Sequence, residues 1–178
     1  MYDCKIEAKS IIYVPISIVS TMKKRTPPVY VLSMFALTRI TGSLVRSEEN
    51  PAKEVITTTD APKAIGPYSQ AIRVGNMLFC SGQIPINPET GEIIYDSTIE
   101  TQTQQVLDNL GAVLKEAGMN YTDVVSVTVF IADMDNFDRI NKIYAGYFKD
   151  RPPARCAVEV ARLPKDVGIE IALIAIET

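Results

Sequence analysis

The sequence predicts an α+β domain, a single mixed sheet with two helices packed on one of its faces. Two observations predict it. Six short runs have the composition of strands, while two longer stretches repeat apolar residues at helical spacing. Their order is three strands, helix, strand, helix, two strands, which leaves both helices free to cover one side of the sheet.

The pattern becomes regular near Lys53, where EVITT reads as a short strand. QAIRV and MLFCS are further strand runs, and Gly75-Asn76 between them is a two-residue hairpin signal. With that turn, paired residue numbers sum to 151, so Tyr68 lies opposite Gln83 and Ser81 opposite Gln70. PINPETGE is a turn-rich loop. Ser97, with Glu100 three residues on, reads as a capping box opening the first helix. Its apolar stripe is Val106, Leu107, Leu110, Val113, Leu114 and Ala117, and Gly118 closes it. DVVSVTVFIA is a buried strand. DMDNFD has the alternating acids of a calcium loop but lacks the loop glycine and distal glutamate, so it reads as an Asp-rich helix start. The second helix buries Phe137, Ile140, Tyr144, Tyr147 and Phe148. ARCAVEVA and IEIALIAIE follow, read as a hairpin turning at Lys165-Asp166. In that register Arg155 faces Ile176 and Glu170 faces Ala161, on the same face but roughly 20 Å apart at about 3.3 Å per residue. One chain would not bring both onto a small ligand; a site shared between chains could.

The 178 residues divide at about residue 50 into a leader (1–50) and a domain (51–178). Residues 1–46 carry seven of the chain's 18 basic groups and two of its 21 acids, leaving 11 basic against 19 acidic groups in the rest. An acidic body repels a phosphate backbone over its surface as a whole, which argues against a nucleic-acid partner. The leader's apolar stretches, IIYVPISIVS and VYVLSMFALT, are each about half the length a bilayer needs, so no membrane span is expected. Basic, acid-poor and rich in Ser and Thr, the leader has the character of an organelle transit peptide, with an over-long start or a short arm as alternatives. The expected location is the cytoplasm, or the mitochondrion if the leader targets. Cys4, Cys80 and Cys156 have no ligand spacing and read as reduced, buried thiols. Asn120-Tyr121-Thr122 matches a glycosylation acceptor, a short pattern common by chance.

Histidine is absent. That removes Ser-His-Asp and Cys-His nucleophiles, His-ligated zinc and paired-histidine RNA cleavage, leaving carboxylates, hydroxyls, lysine, arginine and the backbone for any chemistry. No metal or cofactor site is expected.

AIGPYSQAI, LFCSGQIPINPETGE, VTVFIADM and PPARCAVEVARLPKDVGIEIALIAIE resemble, in the same order and spacing, the RidA family of imine deaminases, also called YjgF or L-PSP proteins. The resemblance covers residues 53–178 and implies a chorismate-mutase-like fold and homotrimers with sites in clefts between subunits. It implies that Arg155 of the PAR motif grips a substrate carboxylate. It also carries Tyr68 of GPY, Ser81 and Gly82 of SGQ, Asn141 and Glu170 into the site. Where relatives commonly have a cysteine this chain has Ala157, with Cys156 one place earlier and facing the other way. That departure weakens a thiol role but leaves the backbone at Ala157.

The implied reaction is hydrolysis of 2-imino acids such as 2-iminopropanoate and 2-iminobutanoate to keto acids and ammonia. It needs no metal, because the C=N carbon is already electrophilic. Arg155 would clamp the carboxylate with two charge-assisted bonds, Glu170 would orient water, and Ser81 and Tyr68 would donate to developing charge. Alone, each residue has a plainer reading: Arg155 a solvated strand end, Tyr68 a core edge, Ser81 a turn hydroxyl, Glu170 a partner for a structural cation. Two rival functions remain, a single-stranded RNA endonuclease or translation inhibitor and a non-catalytic metabolite-binding or chaperone-like trimer.

Overall fold

The computed structural model describes residues 52–95 and 97–177; the leader and the readings that rest on it, Cys4 among them, lie outside the described residues. In chain order the regular elements are β1 (Lys53–Ile56), β2 (Ala71–Val74), β3 (Met77–Gln83), α1 (Ile99–Glu116), β4 (Val124–Ile131), α2 (Phe137–Tyr147), β5 (Ala154–Glu159) and β6 (Ile169–Ile176). The strands form one sheet in the order β1-β2-β3-β6-β4-β5, antiparallel except for the parallel pair β4 and β5. Class and element order are those predicted.

The β2–β3 turn falls where the sequence put it. Ala71 pairs with Cys80 and Val74 with Met77, with Gly75 in the left-handed region at φ 59°. Beyond the strand ends the same register continues, since Ser81 N–H donates to the Gln70 carbonyl at 3.0 Å.

Helix α1 buries the predicted stripe, with Val106, Leu107, Leu110, Val113 and Leu114 fully shielded. They pack on Leu78, Val127, Val129, Ile171 and Leu173 of the sheet. Each such side chain contributes about 1.5–3 kcal/mol by leaving water. The helix ends in a Schellman motif: Gly118, at φ +74°, lets its own N–H and that of Met119 reach back to the Lys115 and Leu114 carbonyls. Its start lies one residue later than predicted. Thr98, not Ser97, is the cap and accepts from Thr101 N–H, while Ser97 donates to the Ile94 carbonyl. Adjacent hydroxyls suit the role equally, and the later one leaves Glu100 free for a bidentate pair with Arg139 of α2, at 2.8 and 2.7 Å. The Asp-rich segment starts α2 as expected, Asp133 capping a short turn by accepting from Asp135 N–H. Asn120 caps a similar turn before β4.

The predicted β5–β6 hairpin does not form. Strand β6 inserts between β3 and β4, pairing antiparallel with both, and β4 separates it from β5. The reason is visible in the two segments. Strand β6 alternates fully buried with half-buried residues, as a central strand does, whereas β5 is exposed along most of its length, as an edge does. Cys80 is buried as expected, and burial pushes its thiol up to about 12. Cys156 is exposed instead, because the edge strand turns it away from the helices.

Among the described residues, no helix is long and apolar enough to cross a membrane. The face opposite the helices exposes Val55, Phe79 and Val158 at 57, 40 and 37 %.

Candidate active site

A β-bulge builds the first part of the site. Along β3 and β6, Cys80 pairs with Leu173 and Gln83 with Ile171, so Ser81 and Gly82 occupy the space of one residue. The bulge presses Gly82 against Glu170. A Cβ at Gly82 would collide with the Glu170 carboxylate, its Cδ only 2.9 Å away, so the glycine makes room for the acid.

Three amide side chains, Gln70 and Asn109 buried and Gln102 half-buried, fix the surrounding loops. Gln70 Nε2 donates to the Thr58, Ala61 and Pro62 carbonyls, and its Oε1 accepts from Thr58 N–H at 2.7 Å. Asn109 Nδ2 donates to the carbonyls of Ile84 and Ile86, at 3.4 and 3.0 Å. Gln102 Oε1 accepts from Gly168 N–H at 2.9 Å, just before Glu170. These positioning residues were missed in the sequence, because their partners are backbone groups up to 66 residues away.

Between these loops a cavity of about 290 Å³ is lined by Ile65, Tyr68, Ser81, Gly82, Ile84, Pro164 and Glu170. Four predicted site residues therefore converge. The Tyr68 hydroxyl oxygen accepts from Ile65 N–H at 3.3 Å, leaving its proton free to donate. Ser81 donates to the Ser69 carbonyl at 2.7 Å, so its lone pairs, rather than its proton, are available. Burial pushes the Glu170 carboxyl above the usual carboxylate range.

That shift has a consequence for stability. A carboxyl whose folded pKa is raised costs stability once pH exceeds its unfolded value, about 4.3, and the cost vanishes below it. Glu170→Gln should therefore raise the thermal midpoint at pH 7 and lose that advantage near pH 4. An equal or lower midpoint at pH 7 would show that burial does not strain the charge.

Arg155, Asn141 and Ala157 gather elsewhere. Arg155 Nη1 donates to Asn141 Oδ1 at 2.8 Å. Its guanidinium lies over the rings of Tyr144 and Phe137, 4.6 and 5.6 Å from their centroids. Tyr144 is buried, its hydroxyl has no partner among the described residues, and it presents its ring face to the guanidinium. The sequence marked Tyr144 and Phe137 only as core. Ala157 packs on the core beside Phe137. Among the described residues, no cluster of His, Cys, Asp or Glu could hold a metal.

The two groups lie on opposite faces of the sheet, which corrects the predicted shared face. Arg155 pairs with Val127, and Val127 is buried against the helices. Glu170 pairs with Phe130, one residue out of phase with the core positions Val129 and Ile131. Directly paired residues share a face, so Arg155 points to the helix side and Glu170 to the other. The predicted distance within a β5–β6 hairpin falls with that hairpin; in its place, the sheet itself separates the arginine from the glutamate of the same chain.

Residues 58–177 match the family model described as Endoribonuclease L-PSP. A RutC family protein of Pyrococcus horikoshii is 58% identical over 123 residues, 69% of this chain and 97% of that one. Reactive Intermediate Deaminase A, chloroplastic, of Arabidopsis thaliana is 44% identical over 154 residues, 86% of this chain and 75% of its own. Among solved structures, the E. coli YjgF gene product aligns at TM-score 0.67 and 46% identity, covering 70% of this chain and 99% of its own. E. coli TdcF with bound serine aligns at TM-score 0.67 and 43% identity, with the same coverage.

Proposed function

The chain belongs to the Endoribonuclease L-PSP family, and from that premise we propose that it hydrolyses reactive 2-imino acids, 2-iminopropanoate and 2-iminobutanoate, to 2-keto acids and ammonia. One observation carries the reading: a half-buried carboxylate, a phenol proton and a hydroxyl acceptor converge on a cavity of about 290 Å³. The name of the Arabidopsis relative and the serine bound to TdcF support an amino-acid-derived substrate.

In this mechanism Arg155 holds the substrate carboxylate with the N–H groups that Asn141 leaves free. The Ser81 oxygen accepts from the protonated imine nitrogen. Glu170 accepts a proton from water as the water oxygen bonds to the C=N carbon, giving a tetrahedral amino alcohol. Glu170 then passes that proton to nitrogen and takes the hydroxyl proton as the C–N bond breaks. The C–N electrons leave with ammonia, which carries the last proton away as ammonium, while Tyr68 donates a hydrogen bond to the oxygen that becomes the keto group. Burial raises the Glu170 pKa, which makes it a stronger base than an exposed carboxylate.

Because one chain holds arginine and glutamate on opposite faces, the proposal includes a homotrimer whose sites lie between subunits. The uncovered apolar face of the sheet supports this, and Arg155, on the edge strand, stands where a neighbour can reach it. The leader is proposed as an organelle transit segment, in keeping with the chloroplastic relative. The family description also names RNA cleavage, and the same preparation can be tested for it. Purified protein should speed release of ammonia and keto acid from freshly generated 2-iminopropanoate, with EDTA without effect. A rate no higher than the spontaneous one, alongside RNA cleavage, would replace this reading with the nuclease.

A further inference from the structure

The Glu170 cavity is larger than a three-carbon imine, and it does not end at its own walls. A second cavity of about 470 Å³ is lined by Ile65, Ile86, Ile93 and Tyr95, with Gly91, Glu92 and Lys165 completing it. The two cavities share Ile65, and two loops contribute a residue to each: Ile84 and Ile86 from one, Pro164 and Lys165 from the other.

We propose that this second cavity is a subsite for the side chain of the imino acid, and that it favours elongated apolar side chains such as those of the leucine and phenylalanine imines. The inference rests on the hydrolytic reading above.

Exposure supports it. Ile65, Tyr68 and Tyr95 are 55, 45 and 58 % exposed and all line one or other of these adjoining cavities. Large apolar side chains gathered in a concave place mark ligand grooves more often than scattered surface. The wall is also built before any ligand arrives. Ile86 and Ile93 form an isolated bridge, and Asn87 Oδ1 accepts from the N–H groups of Glu89 and Thr90 inside the loop they enclose. Asn109 anchors Ile86 from α1. A ligand therefore gains contact area without ordering a loop, which favours affinity. Glu92 and Lys165 are opposite in sign, so neither selects a charged side chain by net field.

In this proposal the substrate carboxylate is turned toward the neighbour's arginine. With the imine carbon beside Glu170 and Ser81, the substrate's remaining substituent is its side chain, and Ile65 is the wall common to both cavities. A methyl group stops short of the second one. A four-carbon or aromatic side chain reaches it.

The test uses imines generated in situ by an amino-acid oxidase from alanine, leucine, phenylalanine, glutamate and lysine. Each methylene buried in an apolar subsite is worth about a fourfold gain, so kcat/KM for the leucine imine should exceed that for 2-iminopropanoate by roughly tenfold or more. Tyr95→Glu should lower that ratio about tenfold, and Tyr95→Phe should keep it. Binding gives a readout without turnover: the keto acid of leucine should bind more tightly than pyruvate, and Tyr95→Glu should erase the difference. Hydrolysis of 2-iminopropanoate with no gain for leucine, and keto acids that bind alike, would overturn the subsite and leave the activity standing. Preference for the glutamate or lysine imine would overturn it as well. No hydrolysis of any imine would overturn both.

Discussion

Replacing Arg155 by lysine is expected to cost at least roughly thirtyfold in kcat/KM for 2-iminopropanoate, almost as much as replacing it by alanine. The charge is the same, so the loss has to come from shape. In the folded chain one arm of the guanidinium is already committed, Nη1 to Asn141 Oδ1 at 2.8 Å, and the plane rests over Tyr144. Only a planar fork can keep that bond, keep the ring contact, and still present further N–H groups to a carboxylate. Lysine has one nitrogen, a hydrated point charge with no plane to stack. Truncating one partner of a desolvated charge pair costs about 2–5 kcal/mol, which sets the lower bound on the loss. The loss should appear mainly in KM if Arg155 only binds, and in kcat too if it also aligns the imine carbon for attack. A lysine variant within twofold or threefold of the original protein would remove the clamp from the mechanism. RNA cleavage by the same variant should change little, which separates the two chemistries.

Why the end that gathers Tyr68 and Ser81 was legible and the placement of Arg155 relative to Glu170 was not is a matter of locality. The β2–β3 hairpin was read correctly because a turn of two residues fixes the register of the strands it joins. That register put Tyr68 and Ser81 at one open end, where the structure has them. The final two strands looked like the same case, but the loop between them is no hairpin. Strand β4 is joined to β5 through α2 and lies parallel to it, and β6 takes the other side of β4, so β4 stands between the two strands that read as a hairpin. The signal was present in IEIALIAI, apolar in both phases, and in ARCAVE, which follows Pro152 and Pro153 and stays exposed. Reading phase before proximity would have placed the first in the centre and the second at the edge.

The bulge was beyond reach for a different reason. Nothing in CSGQ says that one residue is supernumerary until β6 lies beside it, and only then does the glycine at position 82 have a purpose. The loop-holding amides Gln70, Gln102 and Asn109 were hidden likewise. Each looks like an ordinary polar residue, and its role comes from a carbonyl or N–H that folding brings near.

Mixing two inactive proteins, Arg155→Ala and Glu170→Ala, should restore activity to about a quarter of the original. The argument begins with the sheet. Arg155 shares a face with Val127 and the helices, Glu170 shares the other with Phe130, and no rotamer carries either through the backbone between them. A working site that uses both must take them from different chains. In a closed ring each site then draws its arginine from one chain and its glutamate from a neighbour. When the two variants are denatured together in equal amounts and refolded, half the arginine positions and half the glutamate positions are native. About a quarter of sites hold both. Each variant refolded alone has none, so the expected change is from background to a quarter, with assembly unchanged by size-exclusion chromatography. Mixing without denaturation controls for exchange, and recovery there should be slower. If both residues of a site came from one chain, every site in every mixture would lack one of them, and activity would stay at the level of the single variants. Such a result, with trimers intact, would mean that arginine and glutamate do not act on one substrate, and Glu170 would need another role in its cavity.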